Sequence, residues 1–94
     1  MIVNVNLIAT FKMIAGVRAV TLELPEHATL EDAVAAVLQQ HPVLRAHWLN
    51  EKKELRGHVH VFINGDDANT LPLKLETVLN PNDEVDFIPP VAGG

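Results

Sequence analysis

The chain contains no cysteine, which removes disulfides, thiolate metal sites and a thiol nucleophile from its chemistry. Any reactive sulfur on this chain would have to sit somewhere other than a side-chain thiol. Basic residues are few: seven Lys and Arg against twelve Asp and Glu give a formal charge of -5. The seven form no stripe, so a nucleic acid, whose binding draws on clustered cations, is not the expected partner. No apolar run approaches the ~18 residues that a membrane span needs. Met1 leads directly into the strand-like Ile2-Val3-Asn4-Val5, so no secretory leader is expected and a cytoplasmic location is. Gly16, Gly57 and Gly65 stand isolated, and no glycine-rich phosphate loop can be drawn through them. Any ATP would belong to a partner, and no cofactor is expected to bind this chain. Internal repeats and low-complexity segments are also missing.

What is present reads as a globular chain, 48% hydrophobic and 20% charged over 94 residues. That length favours a single domain over 1–94, burying about 60–65% of its unfolded surface, with little room for a deep catalytic pocket. From Ile2 to Phe11 the chain alternates, with Val3, Val5, Leu7 and Ala9 set against Asn4 and Asn6, the period of a half-buried strand. A short turn near Ala15-Gly16 then leads to a second run from Arg18 to Leu24, with Val20, Leu22 and Leu24 inward. The two read as a hairpin. Pro25 ends the second strand, and Thr29-Leu30-Glu31-Asp32 supplies a helix start, Thr29 as N-cap and Asp32 as its capping-box partner. The apolar positions Leu30, Ala33, Val34, Val37 and Leu38 follow one helical stripe to about Gln40, and Pro42 disfavours helix at His41.

Beyond the helix, Leu44, Trp48 and Leu49 are spaced as on a short helical turn, and Glu51-Lys52-Lys53-Glu54 reads as a solvated loop. His58 to Ile63 is strand-like with Val59, Val61 and Ile63 on one face, and the turn pair Asn64-Gly65 follows. Asn80-Pro81-Asn82-Asp83 is expected as a type I turn feeding a last strand, Glu84 to Ile88, with Val85 and Phe87 inward. This order is β-β-α, a linker, β, a variable loop, and β. One main helix across a mixed sheet of four or five strands is an α+β architecture, the β-grasp or ubiquitin-like fold.

The chain ends Pro89-Pro90-Val91-Ala92-Gly93-Gly94. Glycine has no Cβ, so Gly93 and Gly94 can thread a slot too narrow for side chains, and the carboxylate beyond them stays sterically open. Pro89 and Pro90 fix φ and favour extended backbone, which predicts a stiff stalk over 89–94 with Val91, Ala92, Gly93 and Gly94 giving access at its tip. A frayed end of small residues would have a similar composition. The tail, however, sits in register behind the last predicted strand.

Three stretches taken together resemble the MoaD/ThiS family of ubiquitin-like sulfur carriers: Thr29-Leu30-Glu31-Asp32-Ala33, Val59-His60-Val61-Phe62-Ile63-Asn64-Gly65, and Asn82 through Gly94. The last is the most specific, since an acidic turn, a strand, prolines and a Gly-Gly end rarely coincide in that order. The resemblance covers nearly the whole length. It implies a cycle in which an E1-like adenylyltransferase adenylates the carboxylate of Gly94 and a sulfur donor displaces AMP to leave a thiocarboxylate. The chain would then be a substrate of enzymes and a non-catalytic small subunit, with no catalytic residue of its own. The stretch Phe87 to Val91 is most similar to the molybdopterin-synthase small subunit, whose tail enters the large subunit and donates sulfur to a pterin precursor. The segments from Leu49-Asn50-Glu51 to Leu55-Arg56 and from Asp66 to Leu75 are more similar to carriers that serve cysteine synthesis, or tRNA thiolation combined with protein tagging, and a carrier for thiamine synthesis is a further alternative. A protein modifier joined through Gly94 to a lysine is a second reading, and a β-grasp binding module with an inert terminus a third.

The open face of the sheet offers a docking patch. Alternation opposite the core positions projects His58, His60 and Phe62 from one strand and Ile88 from another. An exposed Phe62 beside Ile88 and His60, close to where the tail departs, suits an activating enzyme or a synthase. The same face could serve a homodimer. His58 and His60 share it, but two imidazoles without a third ligand rarely close a metal site, and no metal is expected. Asp66, Asp67, Asp83, Glu84 and Asp86 read as solvated charge forming an acidic rim. Trp48, with Leu44 and Leu49, reads as a satellite of the core.

Overall fold

The computed structural model describes residues 1–90. Strand β1 (Ile2–Leu7) buries Val3, Val5 and Leu7, and β2 (Ala19–Glu23) buries Val20 and Leu22. They pair antiparallel, Val3 opposite Leu22 and Val5 opposite Val20, so two alternating runs lay their branched side chains on one face. The connection is not the short turn expected from the pattern. The strand stops at Leu7, and residues 10–15 form a six-residue helix, α1 (Thr10–Ala15), closed by Gly16 in the left-handed conformation. Phe11, which carried the strand parity forward in the sequence, is buried from this helix instead. Ala9 stands at its N-cap with φ 50° and ψ -122°, a conformation that favours glycine.

Helix α2 (Leu30–Gln40) begins as expected. Thr29 Oγ1 accepts from the Asp32 N–H at 3.3 Å and Asp32 Oδ2 accepts from the Thr29 N–H at 2.8 Å, a complete capping box. Its stripe Leu30, Ala33, Val34, Val37 and Leu38 is buried and covers the sheet. A 3₁₀ turn (Pro42–Leu44) and a single helical turn, α3 (Arg45–Trp48), follow. The loop after them folds back on itself: Leu49 bridges Leu55, and Asn50 Oδ1 accepts from the N–H groups of Lys52 and Glu54.

Strand β3 (His60–Ile63) is shorter than the sequence pattern, leaving His58 before its start. Asn64 and Gly65, with φ of 50° and 88°, make the tight turn to β4 (Asp66–Asp67). At the turn before β5 (Glu84–Ile88) the Asp83 N–H reaches the Asn80 carbonyl at 3.2 Å and Asn82 has φ 68°. A positive φ at the third position makes this a type II turn and not the expected type I.

The sheet has five strands in the order β2-β1-β5-β3-β4. It is mixed: β5 runs parallel to β1 and antiparallel to β3. The last strand in sequence is therefore the central one in space, which is the α+β β-grasp arrangement. Among the described residues no helix is long and apolar enough to cross a membrane.

Candidate functional site

The chain leaves the sheet from the end of β5, held on both sides. Val85 and Phe87 are fully buried, while Glu84, Asp86 and Ile88 turn to the open face. Beneath the exit, Trp48 stacks on Phe87 with ring centroids 4.3 Å apart and planes 19° from parallel, and Phe11 meets Trp48 edge-on at 5.7 Å. Trp48 is thus no satellite. Fully buried, it belongs to the main core and clamps the residue two before the prolines. Local spacing showed that Trp48 faces inward, but not that it faces β5.

Pro89 is buried and Pro90 exposed. The Pro89 ring packs on the body, and Pro90 is the first open residue after β5. The expectations for Val91, Ala92, Gly93 and Gly94 lie outside the described residues.

The residues expected from the sequence to form a docking patch do come together. His60 lies directly opposite Ile88, and Phe62 opposite Asp86, which makes Phe62 and Ile88 diagonal neighbours on the open face. His60 is exposed; Phe62 and Ile88 are half-buried. Phe62 is less open than expected because it sits on an inner strand between two carboxylate-bearing neighbours, Asp86 on β5 and Asp67 on β4. His58 lies outside the strand and does not share its register. Among the described residues no three His, Asp or Glu side chains converge on a cation.

The acidic residues separate into distinct roles. Asn6 on β1 donates through Nδ2 to Asp86 Oδ1 at 2.7 Å and Glu84 Oε1 at 3.1 Å, so one amide ties two carboxylates across the parallel pair. This role of Asn6 was missed; its polar character at an open-face position of β1 was the available signal. Asp67 Oδ1 accepts from the Asn69 N–H at 2.9 Å and caps a 3₁₀ turn. Asp83 is not solvated as read from the sequence. It is 8% exposed, with Oδ2 accepting from the Asn80 N–H at 2.8 Å and Oδ1 from Asn64 Nδ2 at 2.9 Å. It locks the turn before β5 to the turn after β3.

Known proteins share this fold. The chain is 33% identical over 89 residues to small archaeal modifier protein 1 of Haloferax volcanii, covering 95% of this chain and 97% of that protein. The crystal structure of that modifier superposes with a TM-score of 0.92 at 31% identity, covering 100% of both chains. Small archaeal modifier protein 3 of the same organism is 31% identical over 86 residues, 92% of this chain and 91% of that one. A candidate molybdopterin converting factor, subunit 1, from Pyrococcus furiosus matches with a TM-score of 0.74 at 25% identity, over 97% and 99% of the two chains. The ThiS family model matches residues 5–94. The chain belongs to the ThiS family of ubiquitin-like sulfur carriers and modifiers, small proteins that are not themselves catalysts.

Proposed function

We propose that residues 1–94 act as one β-grasp domain whose working group is the α-carboxylate of Gly94, with 89–94 as its functional tail. The observation that carries the reading is that the family match runs to residue 94, through the Gly-Gly pair, behind a strand that is central in the sheet. A carboxylate is a poor electrophile until it becomes a mixed anhydride. An E1-like partner supplies that step: the Gly94 carboxylate oxygen attacks the α-phosphorus of ATP, pyrophosphate leaves, and an acyl adenylate remains. Hydrosulfide from the sulfur donor then attacks the carbonyl, forming the C–S bond as the C–O bond to AMP breaks and giving up its proton, which leaves a thiocarboxylate whose sulfur is ionised and nucleophilic. Sulfur rides on the chain end, consistent with a chain that contains no cysteine.

The acceptor favoured by the stretch Phe87 to Val91 is a pterin precursor held by a synthase large subunit, as in molybdenum cofactor synthesis. Phe62, Ile88 and His60 form the patch on which such partners seat, and the cytoplasm is the compartment of the cycle. Intact mass measurement of protein from its own cells tests the reading: one oxygen exchanged for sulfur is expected, and lost when the activating enzyme is removed. A native pool without thiocarboxylate, adenylate or conjugate would defeat it. For the patch, Phe62→Asp is expected to slow adenylation of Gly94; an unchanged rate takes Phe62 out of the interface.

A second reading is favoured by the names of both modifier relatives. The same acyl adenylate would be captured by a lysine amine to form an isopeptide. Conjugates of high molecular mass in native cells, absent when Gly94 is deleted, are the expected sign.

A further inference from the structure

We infer that the surface built by α1 and its flanks, on the β1 side of the tail exit, docks an acidic segment of the enzyme that activates the tail. The inference rests on the carrier or modifier reading above. Because β1 and β5 are parallel, their ends lie side by side, and the Ile8 N–H donates to the Phe87 carbonyl at 3.1 Å. Ala9, with its positive φ, then turns the chain into α1 beside the exit. The result is a shallow cleft of roughly 560 Å³ lined by Asn6, Ile8, Ala9, Lys12, Arg18 and Asp86.

Two features of this surface point to its occupant. The first is charge. In a chain of net charge -5, Lys12 and Arg18 put two exposed cations at one place, and the one acid lining the cleft, Asp86, is held by Asn6 at 2.7 Å. A partner carboxylate is the complement. The second is apolar exposure. Ile8 lines the cleft and is 38% exposed, and outside it Met13 on α1 is 77% exposed and Val17 after the helix 38%. Two cations in a cleft that also exposes Ile8, on a surface whose helix exposes Met13, suit an acidic-apolar protein segment; nucleic acid would draw on a longer row of cations. The tail thus departs between two surfaces, Phe62, Ile88 and His60 on the β3 side and the α1 surface on the β1 side.

The test is ATP-pyrophosphate exchange by the cognate activating enzyme with the full chain as substrate. The pair Lys12→Glu and Arg18→Glu is expected to raise KM about tenfold or more with kcat unchanged, and to flatten the dependence of kcat/KM on salt, since steering charges act on encounter. Met13→Asp is expected to raise KM as well, with salt dependence kept. Lys52→Glu with Lys53→Glu, on the far loop, is expected to leave exchange as it was. Circular dichroism establishes that each variant is folded, and Lys12→Gln with Arg18→Gln, expected to give a smaller rise in KM, replaces the reversed pair if that pair does not fold. Normal exchange of the wild type with unchanged KM in the charge variants overturns the docking surface alone. No exchange with the wild type overturns the carrier reading, and the docking surface with it.

Discussion

Trp48 is fully buried and stacked on Phe87, yet its Nε1–H finds no acceptor among the described residues. Truncation to alanine removes the stack and leaves a cavity, so Trp48→Ala is expected to cost about 3–5 kcal/mol in urea unfolding. Trp48→Phe should cost clearly less, because it keeps a ring against Phe87 and removes the unpaired donor. Equal losses for the two would show that a ring stacked on Phe87 contributes little. Asp83 gives a second case: Asp83→Ala strips a partner from both the Asn80 N–H and Asn64 Nδ2, with an expected loss of about 1–3 kcal/mol by the same measurement. Neither role could be read from sequence. Local spacing identifies an inward tryptophan and an aspartate in a turn, but Phe87 and Asn64 reach them only once the sheet has formed.

Helix α2 was legible because its signals are local: a cap, an acid three residues on, one apolar stripe and a proline after the end. Thr29→Ala opens the capping box and is expected to lower stability by about 1 kcal/mol in denaturant titration. Helix α1 was not legible. Leu7, Ala9 and Phe11 continue the strand parity of β1, and six residues are too few to show a helical period or to hold a helix without tertiary contacts. Its stability comes from Phe11 packing under Trp48 and the left-handed Gly16 that closes it. Its entry is strained at Ala9, and glycine there should relieve about 1–3 kcal/mol against a backbone-entropy cost of about 0.5–1 kcal/mol. Ala9→Gly is accordingly expected to raise thermal stability; a lower midpoint would mean that the turn at Ala9 carries no net strain.

Over the whole molecule, the alternating patterns told which residues face the core but not the strand order. The pairing that makes β5 central joins Asn4 to Glu84 and Leu7 to Phe87, contacts between opposite ends of the chain. Central placement gives the tail exit two flanks, and the proposed surfaces on them share no residue. Free energies of independent sites add, so Phe62→Asp combined with Met13→Asp is expected to multiply the two single effects on kcat/KM for adenylation, as a double-mutant cycle would measure. A double variant no worse than the weaker single would mean that the two flanks do not act as separate contacts.

The aromatic clamp has a practical consequence. With one tryptophan and no tyrosine in the chain, the intrinsic emission of this protein above that of phenylalanine arises from a single indole, and that indole lies against the strand from which the tail departs. A partner that seats beside the end of β5 is expected to change the surroundings of this one indole, so that its emission offers a readout of docking with no label attached to the chain.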